Sequence, residues 1–204
     1  MEWDMVDSPD TSSVQWRKTG EEPILDASGD PVGALVDFWR WAYSETIGNA
    51  QRGVLAEYLV GLAVGGVGDR ARVEWDAFDV VTPDGITVEV KSSAYLQSWR
   101  QERPSKIQFG IGETLGWTAA SNTYAEVAGR QADVYVFCLF NSRKRGEADP
   151  LDTRQWRFWV TSTEHLTAMV GRQKTISLNA LLSRVGPEET DFAGLREVVR
   201  RVAG

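Results

Sequence analysis

The chain has 204 residues, 42% of them apolar and 25% charged, the balance of an ordinary globular protein with room for one sizeable core. No run approaches the ~20 continuous apolar residues of a membrane span, and a lone Cys138 and a lone His165 exclude a disulfide framework and any zinc site built from several such ligands. The net charge is −7, but residues 1–30 hold eight acids against two bases, which leaves residues 31–204 near balance and excludes no class of partner.

Residues 1–29 are rich in Ser, Asp, Gly and Pro without periodicity and read as an acidic, loosely ordered lead-in; residues 30–204 read as one domain. The opening Met1-Glu2-Trp3-Asp4 is acidic where a secretory signal is basic, so a cytoplasmic location is expected. Asp30-Pro31 predicts a helix start, with a helix over 31–44 burying Leu35, Phe38, Trp39 and Tyr43. Asn49 is expected to cap a second helix that runs to Val64 and stops at Gly65-Gly66. Two strands follow, over 72–82 and 86–91, and a third over 105–111. A weaker helical pattern covers 121–130. The apolar run 132–140 predicts a strand buried on both faces. Beyond an exposed loop at 141–153 come a strand at 156–161, a short helix at 162–170 and a terminal helix at 188–202. The sum is an α/β fold, a mixed central sheet flanked by helices, whose core at about 50–140 runs helix, three strands, helix, strand.

The turn between the first two core strands carries the most information. Thr82-Pro83-Asp84-Gly85 suits a type I turn closed by a glycine at positive φ, which makes a three-residue hairpin loop. Counting outward opposes Val81 to Thr87, Val80 to Val88 and Asp79 to Glu89. Opposed residues share a face, with Cβ atoms ~5 Å apart, and alternation puts Lys91 on that face too. Two carboxylates held together repel. A divalent cation reverses the sign, and Mg²⁺ is commonly held by one or two carboxylates with waters and phosphate.

A third acid fits. On the second helix, Glu57 has Gly53, Val54, Val60 and Gly61 three and four residues away, an apolar and small face that turns it toward the sheet. Each interior glycine costs ~1 kcal/mol relative to alanine; close approach of the helix to the strands is the expected return.

Glu57, Asp79 and the triplet Glu89-Val90-Lys91, in this element order, resemble the PD-(D/E)XK nuclease superfamily over about residues 50–140. The resemblance implies a restriction-endonuclease-like αβββαβ core with N- and C-terminal helical additions. It implies Mg²⁺, replaceable by Mn²⁺, bound by Asp79 and Glu89 with the Val90 carbonyl as a third donor. Lys91 then orients the nucleophilic water, and Glu57 assists. The expected activity is hydrolysis of DNA phosphodiesters, duplex DNA first, to a 5′-phosphate, in restriction or another defence role and as a homodimer. The alternatives are an inactive nuclease fold kept for binding DNA or protein, and a resolvase or repair nuclease. The family's Pro-Asp pair is absent before Asp79, where Phe78 stands. Pro83-Asp84 lies at the turn tip and reads as a decoy, and Asp76 competes with Asp79 on the opposite face.

The segment after the triplet contains Lys91, Arg100, Arg103 and Lys106 against Glu102 alone. With Ser92, Ser93 and Gln97 it is the expected contact to a nucleic-acid backbone. Arg143-Lys144-Arg145 reads as an exposed loop tip, His165 as a surface or capping residue, and Cys138 as a small core hydrophobe.

Overall fold

A computed structural model describes residues 16–72, 77–118, 123–124 and 126–204. Asp76 and residues 73–75, part of the segment expected as the first core strand, lie outside the described residues.

The elements are β1 (Pro23–Leu25), β2 (Pro31–Ala34), α1 (Leu35–Tyr43), α2 (Asn49–Val64), β3 (Val80–Val81), β4 (Thr87–Ala94), β5 (Gln108–Gly110), β6 (Trp117–Thr118), β7 (Thr123–Tyr124), β8 (Val134–Phe140), β9 (Trp156–Ser162), α3 (Thr163–Val170), β10 (Thr175–Ser177), α4 (Leu178–Ala180), β11 (Glu188–Thr190) and α5 (Leu195–Ala203). The fold is α/β, with a mixed central sheet in the order β11-β9-β8-β4-β3. β4 and β8 are parallel, and the other pairs are antiparallel. No helix of the described residues is long and apolar enough to cross a membrane.

β8 lies at the centre, and all seven of its residues are buried. Its alternation divides the core into two layers. Val134, Val136, Cys138 and Phe140 face α2 and α5, where Ala56, Val60, Leu195 and Val199 meet Val88 and Val90 of β4. Tyr135, Phe137 and Leu139 face the other way, against Phe109, Leu166, Ile176 and Leu181. Truncating a buried aromatic such as Phe137 to alanine in such a layer costs about 3–5 kcal/mol.

α2 ends as its sequence predicts. Gly65 adopts φ +78°, and its N–H bonds the Gly61 and Leu62 carbonyls. Its start differs by one residue: Gly48 is the N-cap, and Asn49 is the first helical residue. The hairpin loop also forms as predicted. Gly85 takes φ +87°, the Thr82 N–H donates to the Ile86 carbonyl at 2.9 Å, and the register pairs Val80 with Val88 and Val81 with Thr87.

Five elements differ from expectation. The first core strand, expected over 72–82, is reduced among the described residues to β3, with residues 77–79 in bends. Residues 31–34 form β2 rather than the first turn of a helix, because an Asp26–Asp30 turn with Gly29 at φ +86° folds them back onto β1; α1 starts only at Leu35. The third strand shrinks to β5 and leaves the central sheet for β10, where Phe109 and Ile176 oppose each other over the second core layer. Residues 126–130 are not helical. The Gly129 and Thr114 backbones exchange hydrogen bonds of 3.0 Å, and the Arg130 side chain binds the Ile111, Gly171 and Gln173 carbonyls, which holds this stretch extended. The terminal helix begins at Leu195, since Glu188–Thr190 pairs with β9 and Asp191 Oδ1 turns the chain by accepting the Gly194 N–H at 2.9 Å.

Candidate active site

β4 presents Glu89 and Lys91 on one face and Val88, Val90 and Ser92 on the other. Glu89 is in register with Tyr135 and Lys91 with Phe137, so both project into the layer away from α2. They are half-buried, and the Lys91 ammonium is ion-paired to Glu89 Oε1.

Asp79 lies just beyond the short strand β3, at the edge of β4. Its N–H donates to the Val88 carbonyl at 3.1 Å, and its Oδ2 accepts the Val90 N–H at 2.7 Å. Counting from the turn therefore brings Asp79 beside the Glu89–Lys91 segment, but as a side-chain partner of β4 rather than as the next backbone pair. The N–H and C=O of one antiparallel strand residue leave on the same side, so the Val90 carbonyl also faces the Asp79 edge.

Glu57 approaches from the α2 layer. Arg72 holds it through both carboxylate oxygens, with Nη2 donating to Oε1 at 3.0 Å and Nε to Oε2. Glu57, Arg72, Phe78 and Asp79 line a cavity of about 710 Å³. Glu89 and Lys91 are not part of that lining, so the acids reach Asp79 from two sides of the β4 edge. One reason for the close approach is Gly66: a methyl group there would come within 2.6 Å of Val80 Cγ1 and of the Val81 carbonyl oxygen. At Gly61 a methyl would meet Val67 of the loop after α2 at 2.8 Å and Val80 of β3 only at an ordinary 3.8 Å, and at Gly53 it would meet nothing within 4 Å, so neither glycine is what the expected approach of α2 to the strands depends on.

The electrostatics centre on Asp79. Burial first and the Glu89 charge second push its carboxyl up to about 7; the Val90 N–H opposes the rise, Glu57 adds to it, and Lys91 opposes it. The same negative field reaches the Tyr135 hydroxyl, raised by burial and then by Glu89, and the Cys138 thiol, raised by burial and then by Asp79. An anionic group held in a partly buried, like-charged setting either binds a proton or requires a cation. Asp79, Glu89 and the Val90 carbonyl are hard oxygen donors of the kind that could hold Mg²⁺ with waters completing its shell. Among the described residues no three His, Cys, Asp or Glu side chains are grouped to hold a metal ion, and Glu57 is engaged by Arg72.

The downstream residues divide by burial. Ser93 and Gln97 are buried, and Gln97 knits its loop by donating to the Ala94 carbonyl at 3.2 Å and to Ser105 Oγ at 3.1 Å. Ser92 accepts from Arg52 Nε at 3.4 Å. Arg100, Arg103 and Lys106 are exposed. Two arginines near these residues escaped the sequence reading. Arg52 is only 3% exposed, and Ile47 O and Asn49 Oδ1 accept from its guanidinium at 2.7 and 2.5 Å. Its place four residues before Ala56, on the buried stripe of α2, was the available signal. Arg72 carried none, since its pairing with Glu57 is a contact across 15 residues. His165 lies apart, with its Nε2 at 2.8 Å from the Val185 carbonyl.

Comparison with known proteins gives one family. The model of bacteriophage T4 endonuclease IV matches residues 39–180, a stretch that contains α2, the hairpin, β8 and β9. No curated protein matches the chain.

Proposed function

The chain belongs to the bacteriophage T4 endonuclease IV family, and from that premise we propose that it is a divalent-metal-dependent DNA endonuclease with a PD-(D/E)XK-type site. The observation that carries this reading is the partly buried Asp79 carboxylate, set against Glu89 and Lys91 and raised to about 7. A fold gains nothing in stability from such a cluster of like charges, whereas a phosphodiester hydrolase needs it.

Asp79 and Glu89 would hold Mg²⁺, with Mn²⁺ as a substitute, and the Val90 carbonyl would be the third protein donor. The chemistry such an ion would supply is neutralisation of charge on the scissile phosphate and a lowered pKa of the attacking water. Lys91 keeps its ammonium beside Glu89, where it orients the water and stabilises the phosphorane-like charge. Val90 N–H fixes the Asp79 rotamer through its 2.7 Å hydrogen bond. Glu57 shapes the potential at Asp79 from the α2 side and is itself held by Arg72. The exposed Arg100, Arg103 and Lys106 beyond β4 are the contacts to the nucleic-acid backbone, whereas Ser92 faces α2 and Arg52. The resemblance to the PD-(D/E)XK superfamily is the one support for a restriction or defence role.

The test is cleavage of supercoiled and linear DNA with Mg²⁺, with Mn²⁺ and with chelator, comparing wild type and Glu89→Ala. Metal-dependent cleavage that disappears in the variant is expected; cleavage that survives it rejects the site, and no cleavage of any DNA rejects the enzyme.

A further inference from the structure

Beyond β4, residues 95–106 fold into a loop whose side chains bond one another; Gln101 Oε1, for example, accepts the Gln97 N–H at 2.7 Å. The loop that follows β8 folds back onto it. Arg145, 48 residues from Gln97 in sequence, donates from Nη2 to the Gln97 carbonyl at 2.5 Å and to the Trp99 carbonyl at 2.9 Å. The Arg143 guanidinium lies 3.8 Å above the Tyr95 ring. The two loops enclose a cavity of about 560 Å³ lined by Arg100, Arg103, Arg143 and Arg145, with Glu102 the one carboxylate among its described lining residues.

Among the described residues, none of these four arginines is ion-paired. Arg143 and Arg145 are fixed by neutral partners, an aromatic face and two carbonyls, which hold their positions and leave their charges unanswered. Four guanidinium groups gathered in this way repel one another until an anion enters, and their planar forks match phosphate oxygens. The place matters as well. Tyr95 follows Lys91 by four residues, about 13 Å at the ~3.3 Å rise of a strand, or about four base-pair rises of duplex DNA.

We infer that the four-arginine cleft binds the nucleic-acid phosphate backbone a few nucleotides from the scissile bond and so positions the strand over Asp79 and Lys91. This deepens the nuclease reading and rests on it. It also gives a role to Arg143 and Arg145, which the sequence shows only as a loop tip.

The test is fluorescence anisotropy of a labelled 20-base-pair duplex in chelator, as a function of salt, with wild type, Arg103→Gln, Arg143→Gln and the double variant. Each lost phosphate contact should reduce the slope of log affinity against log salt by about 0.9, which is about eightfold in affinity at 0.1 M salt. The loss should be equal for unrelated sequences, and lysine at both positions should restore the slope. Unchanged affinity and slope in a double variant with an unchanged melting curve would overturn the cleft, as would polyglutamate displacing the duplex at equal charge. The two readings fail separately. Cleavage by a protein whose binding ignores these arginines removes the cleft alone; arginine-dependent binding without metal-dependent cleavage removes the nuclease and leaves the cleft.

Discussion

Asp79 Oδ2 accepts the Val90 N–H at 2.7 Å, so a side chain completes the hydrogen-bonding edge of β4 where the two-residue strand β3 stops. This one contact ties a partly buried carboxylate in a like-charged setting to the middle residue of the Glu89-Val90-Lys91 triplet. The consequences can be measured.

The pH dependence of stability carries the sign of Asp79. Its carboxyl is raised from 3.8 to about 7, so the folded chain binds more protons than the unfolded chain between those values. The contribution is full below about pH 4 and is lost as pH rises through 7, on the order of 4 kcal/mol at most. In chelator, thermal melts from pH 5 to 8 should show falling stability for wild type. Asp79→Asn, whose amide oxygen still accepts the Val90 N–H, should flatten that fall and abolish cleavage.

Metal should reverse the trend. At pH 8, Mg²⁺ at a hundredfold its dissociation constant should stabilise wild type by about 2.7 kcal/mol and Glu89→Gln by much less. Because a proton competes for Asp79, Mg²⁺ affinity and cleavage rate should both climb between pH 6 and 8. Calorimetric titration at three pH values checks this.

Lys91 is expected to act on the reaction and not on the ion. Lys91→Ala removes the positive neighbour of Glu89, so Mg²⁺ binding should be equal to or tighter than wild type. Single-turnover cleavage should fall about 10²–10³-fold, the usual effect of deleting one transition-state contact. A parallel loss of metal binding would refute this division of labour.

Two glycines, one inside α2 and one just after it, should behave in opposite ways. Gly53→Ala meets no neighbour within 4 Å and should stabilise α2 by ~1 kcal/mol through helix propensity. Gly66→Ala drives a methyl into Val80 and the Val81 carbonyl, which should cost about 1–3 kcal/mol. Because β3 then shifts beside Asp79, cleavage should fall as well. Urea denaturation with an activity assay on the same samples reads both effects.

The residues that local chemistry governs were legible in the sequence. Pro83 and Gly85 dictate the turn, the turn dictates the register of Val80 and Val81 against Val88 and Thr87, and the register brings Asp79 to the Glu89–Lys91 segment. Gly65 ends α2, and the unbroken apolar run of β8 marks the centre of the sheet. What tertiary structure alone decided is pairing across long separations. The third strand has only Phe109 to bury between two exposed neighbours, so it finds Ile176 rather than the hairpin. Arg72 meets Glu57, and Arg145 crosses 48 residues to the Gln97 carbonyl. Periodicity and turn propensity act over a few residues, whereas the partner of a guanidinium or of a three-residue strand is chosen by the whole folded surface, and no local pattern encodes that choice.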